Sequence, residues 1–413
     1  MCGHANAQEQ KDIDAFLNDS AVRTGHAGIS IYDPATGKYL YNYNSDKNFL
    51  PSSNVKLFTL YAGMKYLGDS LPGIRFTEDD SSLYIFPAGD PTLLHRDYPD
   101  QPVIRFLSSA EKKISITAIS NDATPYAPGW AWDDYNEDYM AERSALPVYG
   151  NTILLRRGKI TPAVFPFTEK ATPAREKTPV MARNYHANIY SVKIGYQSAG
   201  DIQVPFITSD SLSRKLLSDA IGKKIVAVGE RVNDKKIPRS VLRSRPVDSL
   251  FRPMMFESNN FFAEQTLLMV SNERFGFMSD EQFIDTLLKN DLKSIPIKPR
   301  WVDGSGLSRY NLFSPKAFIY ILDKLQKEFG MERMKRILPT AGQGTLTNYY
   351  DGAAGNIYAK TGSMSNNVAL SGYLFTRKNK MLLFSILINN YTGSGREGRR
   401  AIEKLLLRIR ETN

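Results

Sequence analysis

Three short motifs contain the residue types needed for nucleophilic acyl transfer. In chain order they are Ser53-Asn54-Val55-Lys56, Ser258-Asn259-Asn260 and Lys360-Thr361-Gly362. Each motif alone is a weak signal, because Ser109-Ala110-Glu111-Lys112 also fits S-x-x-K and further runs fit S-x-N. The order of the three motifs and the local structure expected around each therefore carry the prediction.

The first motif would supply a nucleophile and its base. A serine hydroxyl is a poor nucleophile until a neighbouring group takes its proton, and a lysine can do so when burial or another cation destabilises its ammonium. Residues three apart on a helix share a face, so Ser53 and Lys56 would touch within one turn. Residues 51–67 fit such a helix, since they begin with Pro51 and Ser52 and continue with an apolar stripe: Leu57, Leu60, Tyr61, Met64 and Leu67.

The second motif would supply a hydroxyl and a carboxamide beside that base. Ser258 would relay a proton to the leaving group, while Asn260 would hold Lys56 and a substrate amide in place. The same run could instead simply start a helix over residues 261–269, because serine and asparagine are common helix caps. The motif therefore gains its meaning from the other two.

The third motif would recognise substrate along a strand edge. Lys360 would be the second cation that keeps the first lysine neutral and would attract a substrate carboxylate, to which Thr361 would hydrogen-bond. Gly362 would leave room for a substrate backbone along the strand. The backbone N–H groups of Ser53 and Ser363 would form an oxyanion hole. The three motifs in this order favour a serine acyl-transfer site without a histidine.

The motifs resemble those of penicillin-binding proteins and serine β-lactamases. From about residue 12 to the C-terminus the chain resembles the class C low-molecular-mass group, the D-alanyl-D-alanine carboxypeptidase/endopeptidases of peptidase family S13 similar to penicillin-binding protein 4. The segments that carry this resemblance are 89–93, 128–132, Asp303-Gly304-Ser305-Gly306-Leu307-Ser308-Arg309, 353–356 and 359–362. Two departures are Asn259, where the family often has aspartate, and residues 338–346, which are shorter than usual and lack an aspartate.

The resemblance implies a serine D,D-peptidase that acts on peptidoglycan stem peptides. Ser53 would attack the carbonyl of a terminal D-Ala-D-Ala bond or of a D-Ala cross-link, with Lys56 as the base, and water would hydrolyse the acyl-enzyme. β-Lactams would acylate the same serine, and no metal or organic cofactor is implied. Two alternatives are a serine β-lactamase and an inactive wall-binding module. The preferred bond, the third stem residue and the oligomeric state stay open.

Composition narrows the remaining function classes. The 413 residues include one cysteine, so no intrachain disulfide can form, and the net charge is +10. Basic residues are spread along the chain without interleaved aromatic residues, which argues against nucleic acid as a partner. The spacing of the four histidines argues against a zinc site. No apolar stretch reaches the length of a membrane span.

The N-terminus and the implied substrate together predict a location outside the cytoplasmic membrane, in the periplasm or its equivalent. Ala5-Asn6-Ala7 looks like the end of a signal segment that is truncated here. Cys2-Gly3 leaves lipid attachment as an alternative.

The length and texture of the chain predict a catalytic domain interrupted by an insertion. We expect residues 12–72 plus 246–413 to form the catalytic domain and residues 73–245 to form a mostly β insertion in two lobes, about 73–165 and 166–245. Strands at both ends of the chain would build one antiparallel sheet flanked by the terminal helices. This α/β (α+β) arrangement matches the penicillin-recognising fold that the resemblance implies.

Overall fold

The computed structural model describes residues 7–117, 122–170, 179–193, 200–229 and 239–413. The chain forms two compact units: one contains Met1–Lys65, Asp248–Ala263 and Glu281–Asn413, and the other contains Tyr66–Val247 and Glu264–Asp280. The expected domains, 12–72 plus 246–413 and 73–245, and the two lobes stay predictions, because compactness alone does not show which parts fold independently.

The helices and strands alternate irregularly along the chain. The helices are α1 Ala7–Leu17, α2 Lys56–Tyr66, α3 Pro102–Ser109, α4 Asp210–Ile221, α5 Asp248–Phe256, α6 Asn260–Phe275, α7 Asp280–Lys289, α8 Pro315–Phe329, α9 Met331–Ile337 and α10 Gly395–Thr412. The strands are β1 His26–Asp33, β2 Lys38–Tyr43, β3 Ser70–Glu78, β4 Ser82–Pro87, β5 Lys113–Thr117, β6 Thr152–Arg156, β7 Lys159–Thr161, β8 Phe167–Lys170, β9 Met181–Asn184, β10 Ala187–Lys193, β11 Ile202–Pro205, β12 Ile225–Val228, β13 Ser240–Pro246, β14 Ile357–Met364, β15 Asn367–Phe375 and β16 Met381–Asn389.

The first unit is built on a five-stranded antiparallel sheet with the order β14-β15-β16-β1-β2. Strands from the two ends of the chain meet where β1 pairs with β16, with Ile29 opposite Ile386. Apolar side chains on one face of the sheet form a core with α1 and α10, including Ile13, Ile357 and Leu405. This arrangement confirms the predicted penicillin-recognising sheet, and it makes β14 an edge strand.

Helix α2 is more completely buried than its apolar stripe predicts. The apolar stripe is buried as expected, but every residue from Lys56 to Met64 is buried, so the helix has no solvated face in this stretch. Phe58 packs edge-on against three aromatic rings, those of Trp301, Phe313 and Phe318. Lys56 is fully buried for the same reason, which places an amine where water cannot solvate it.

The second unit is rich in strands, as the sequence predicted for the insertion. It contains a five-stranded mixed sheet, β12-β5-β4-β3-β13, and two three-stranded sheets, β8-β10-β9 and β11-β6-β7. Short β-like runs predict strands over residues 81–86 and 113–118, which correspond to β4 and β5, although residue 118 lies outside the described residues. The helix predicted over residues 211–221 is α4. Residues 165–178, with their proline, lysine and glutamate, predict a linker between the lobes, and residues 171–178 lie outside the described residues.

Candidate active site

The first motif forms a tight turn that leads into α2. Ser52–Val55 is a 3₁₀ turn, and Lys56 is the first residue of the helix that follows. The short turn brings the Lys56 Nζ to 2.9 Å from the Ser53 Oγ, while Ser53 itself stays partly exposed. Ser52 has a φ of 48°, a region that costs a non-glycine residue energy and is often found at functional sites. A reachable hydroxyl thus contacts a buried amine.

Lys56 has two further hydrogen-bond partners, both carbonyl oxygens. Its Nζ lies 2.7 Å from the Asn260 Oδ1 and 2.7 Å from the backbone oxygen of Ser305. A neutral amine has two N–H groups and one lone pair, so these two oxygens can accept both N–H groups and direct the lone pair at the Ser53 hydroxyl. The arrangement suits a base that takes the serine proton.

The second motif lies between α5 and α6 and brings a second serine to the site. Ser258 has a φ of 61°, which is a strained conformation for a residue with a side chain. Its Oγ accepts a hydrogen bond of 2.8 Å from the Lys360 Nζ. Asn259 points elsewhere: its Oδ1 accepts from the N–H of Phe262 at 2.9 Å and caps α6. The motif is therefore both a helix start and part of the site.

Lys360 is the second buried amine of the site. It is fully buried on β14 and donates to Ser258 and, at 2.9 Å, to the backbone oxygen of Thr361. Burial lowers the pKa of Lys360 well below its usual range, and the nearby positive charge of Lys56 lowers that pKa further. A positive charge on Lys56 therefore disfavours the charged form of Lys360.

The backbone of β14 presents hydrogen-bonding groups at the edge of the sheet. The N–H of Ala359 donates to the Pro339 oxygen at 3.1 Å on the side away from β15. Because alternate residues of a strand face the same edge, the backbone groups of Thr361 and Ser363 point to that same edge. Their side chains share the sheet face of Ile357, whereas Lys360 faces the first motif. Thr361 is buried and Ser363 is exposed.

Gly362 has a steric role in addition to the predicted one. A Cβ at this position would lie 2.7 Å from the Pro51 oxygen and 2.8 Å from the Asn54 Nδ2. The absence of a side chain therefore allows β14 to lie directly against the first-motif turn. Contact of Gly362 with substrate stays a prediction.

Two functional residues in the loop 303–309 were missed as parts of the site. Ser305 contributes only its backbone oxygen, the acceptor for Lys56. Gly306 has a φ of +83°, and a Cβ there would lie 1.9 Å from the Ser52 oxygen. The Asp303 carboxylate accepts from the N–H groups of Gly306 and Ser308 at 2.9 and 2.6 Å, which holds the loop in place. The Asp-Gly-Ser-Gly run was a turn signal that could have pointed to them.

The structure thus brings the five residues into two groups of hydrogen bonds within one unit: Ser53, Lys56 and Asn260 form one, and Ser258 and Lys360 form the other. The remaining predicted residues lie on the same edge strand as Lys360. In the described ranges, no group of three or more histidine, cysteine, aspartate or glutamate side chains is arranged to hold a metal ion. Within the same ranges, the helices lack the combination of length and apolar character needed to cross a bilayer.

Comparison with known proteins places this geometry in a family. The model of the D-Ala-D-Ala carboxypeptidase 3 (S13) family matches residues 9–409. A D-alanyl-D-alanine carboxypeptidase from Actinomadura sp. (strain R39) is 27% identical over 445 residues, which cover 93% of this chain and 81% of that protein. The family-model match, over residues 9–409, extends over both units and includes all three motifs.

Two of the solved structures with the same fold come from different bacteria. Penicillin binding protein 4 from Haemophilus influenzae has a TM-score of 0.74 at 20% identity, with 96% of this chain and 98% of that chain covered. A penicillin G acylated predatory endopeptidase from Bdellovibrio bacteriovorus has a TM-score of 0.52 at 16% identity, covering 93% and 92%. At these identities the likeness shows the fold.

Proposed function

The chain belongs to the D-Ala-D-Ala carboxypeptidase 3 (S13) family and is a serine D,D-peptidase, and from this premise we propose that Ser53 is its nucleophile and peptidoglycan stem peptides are its substrates. The bond cleaved is a terminal D-Ala-D-Ala bond or a D-Ala cross-link. The observation that carries the assignment is the 2.9 Å contact of the Lys56 Nζ with the Ser53 Oγ, together with two carbonyl acceptors for the same amine.

Acylation begins with the first motif. Lys56 takes the proton of Ser53 as its Oγ attacks the carbonyl carbon of the scissile bond, which gives a tetrahedral intermediate. The N–H groups of Ser53 and Ser363 hold the developing oxyanion, and the partly free N–H groups of the 3₁₀ turn favour negative charge there. Asn260 fixes the amine through its 2.7 Å contact and orients the substrate amide.

Collapse of the intermediate breaks the C–N bond and requires a proton on the leaving amine. Ser258 relays to the leaving amine the proton that Lys56 took from Ser53: its hydroxyl gives one proton to the amine and regains one from the two lysines, of which Lys360 contacts it at 2.8 Å. Lys56 is then neutral again. Lys360 and Thr361 bind the carboxylate of the leaving residue. Water then attacks the acyl-enzyme while Lys56 takes its proton. The ester C–O bond breaks as Lys56 returns that proton to the Ser53 Oγ, and the released product is the shortened stem peptide.

The same chemistry explains binding of β-lactams. The carboxylate and amide of a penicillin resemble those of a D-Ala-D-Ala end, so we propose that Ser53 opens the ring and that the opened drug stays attached as an ester. A structural relative of this chain is described as acylated by penicillin G. We further propose that the protein acts outside the cytoplasmic membrane, where this substrate lies, which fractionation of the source cells would test.

Hydrolysis of a defined peptide tests the proposal. A stem peptide that ends in D-Ala-D-Ala should release one D-alanine, while the matched peptide that ends in D-Ala-L-Ala should be stable. The Ser53→Ala variant should lose this activity. Release of D-alanine at an unchanged rate by Ser53→Ala would exclude Ser53 as the nucleophile.

A further inference from the structure

A basic pocket lies at the start of α10. Its volume is about 760 Å³. It is lined by residues of the loop 344–351, among them Tyr349 and Asp351, and by three arginines of α10: Arg396, Arg399 and Arg400. Asp351 supplies the single carboxylate of this lining, so the pocket carries a net positive charge.

The guanidinium groups of this pocket keep donors available for a ligand. Arg400 pairs with Glu403 and donates to the Asn348 oxygen at 2.9 Å. Arg399 donates through its Nε to the Gly395 oxygen at 3.1 Å. Arg396 is exposed, and with the residues that the structure describes it makes no hydrogen bond or ion pair. A guanidinium has five N–H donors, so most donors of Arg396 and Arg399 remain for an anion.

The basic pocket shares two residues with a small void beside the strand that carries the third motif. Thr361 lines this void of about 10 Å³ together with Tyr349 and Arg399, and these last two residues also line the basic pocket. The ring of Tyr349 lies 5.6 Å from the Arg399 guanidinium and 4.7 Å from that of Arg400. Nearby, a Cβ on Gly344 would lie 2.6 Å from the Phe256 oxygen, two residues before Ser258. The pocket therefore adjoins the elements that hold the leaving side of the proposed site.

We propose that the basic pocket binds carboxylates of the second stem peptide when the enzyme cleaves a cross-link. The inference rests on the proposed function, in which Lys360 and Thr361 hold the carboxylate of the leaving residue. When that residue belongs to a cross-link, a whole peptide with further carboxylates continues beyond it. When it is a terminal D-alanine, nothing continues. Arginine pairs with carboxylates through two parallel hydrogen bonds, so the pocket suits such a peptide.

The consequence is a preference for cross-linked substrate that depends on Arg396. Arg396→Gln should lower the ratio of kcat/KM for a cross-linked stem-peptide dimer to kcat/KM for a D-Ala-D-Ala monomer by about three- to tenfold, the range for one exposed charged hydrogen bond. The matched control is Lys404→Gln, which removes one positive charge from the same helix at a side chain that is 70% exposed. It should leave the ratio unchanged.

The kinetic outcomes separate the possibilities. A ratio that stays the same in Arg396→Gln, or falls equally in Lys404→Gln, overturns the proposal.

If the wild-type protein cleaves neither substrate, the proposed function fails. Calorimetric binding of an uncleaved stem peptide then tests the basic pocket by itself. Weaker binding to Arg396→Gln than to Lys404→Gln supports the pocket, and equal binding overturns it. Inorganic pyrophosphate is the competing probe: if it displaces the peptide at a concentration below the peptide's own Kd, the pocket is a phosphate site and the proposal is wrong.

Discussion

Replacing Gly306 by alanine should displace the turn that carries the nucleophile. Gly306 has a φ of +83°, and an added Cβ would lie 1.9 Å from the Ser52 oxygen, 2.5 Å from its carbonyl carbon and 3.1 Å from the Ser53 nitrogen. In protein structures a Cβ atom essentially never lies within 3.0 Å of a non-bonded heavy atom. The turn or the loop must therefore move by about 1 Å, and a misplacement of that size at a reacting centre costs about 100-fold in rate.

The positive φ of Gly306 lowers the stability of an alanine variant independently of the close contact, and a control variant measures this effect alone. Gly330 has a φ of +82° and nothing within 4 Å of an added Cβ. Gly330→Ala therefore carries the conformational penalty alone, about 1–3 kcal/mol of stability. Gly306→Ala should lose that amount and a further amount, about 1–3 kcal/mol, for the overpacked contact.

The assay is the rate at which benzylpenicillin acylates each variant, followed by intact-protein mass. Gly330→Ala should be acylated at the wild-type rate despite its lower thermal midpoint. Gly306→Ala should be acylated about 100-fold more slowly, which corresponds to about 2.7 kcal/mol of activation free energy. Equal acylation rates in the two alanine variants would refute the argument that the loop 303–309 positions Ser53.

Three further predictions concern other parts of the chain. Because burial lowers the pKa of Lys360, the native state binds this proton more weakly than the unfolded chain does, so Lys360→Met should be more stable than wild type at pH 7. The difference in thermal midpoint should shrink as pH rises towards about 10.4, and a constant difference would contradict the prediction. Asn259→Ala should lower stability by about 1 kcal/mol, because it removes a helix cap, and should leave the acylation rate unchanged. Asn260→Ala should slow acylation, because it removes a partner of Lys56. Equal acylation rates in the two variants would contradict the role of Asn260. Arg143→Met should cost about 3–5 kcal/mol of unfolding free energy in urea, because it removes the guanidinium that two buried carboxylates share. The exposed Arg105→Ala should cost under about 1 kcal/mol, and similar losses in the two variants would count against the buried network.

Local spacing was sufficient to predict much of the site. The Ser53–Lys56 contact follows from helical geometry alone, because three residues make almost one turn. The place of Lys360 at the edge of a sheet followed from the apolar strands after it and from the family resemblance. These signals reside in side-chain identity and short-range periodicity, which a sequence displays directly.

The remaining parts of the site depend on long-range contacts of the backbone. The acceptor from Ser305 is a backbone carbonyl oxygen, which every residue has. The identity of the side chain therefore does not indicate this role. Gly306 and Gly362 are required by close approach to the first-motif turn, which only the folded structure defines. The complete burial of α2 likewise comes from aromatic residues far along the chain, such as Trp301 and Phe313.

The buried ion pairs of the second unit also could not be predicted from the sequence. Arg143 contacts the carboxylates of Glu264 and Asp280, although more than a hundred residues separate them in the chain. Sequence patterning marks such residues as surface candidates, because charged side chains are seldom buried without partners. Their pairing depends on how the segment 264–280 packs within that unit.

Mass spectrometry after incubation with benzylpenicillin tests the central claim most directly. The intact protein should gain the mass of one penicillin, and peptide mapping should place the adduct on Ser53, with no adduct on the Ser53→Ala variant. An adduct retained by Ser53→Ala, or penicillin consumed by the wild type without any adduct, would contradict the assignment of a serine D,D-peptidase site to the Ser53–Lys56 pair.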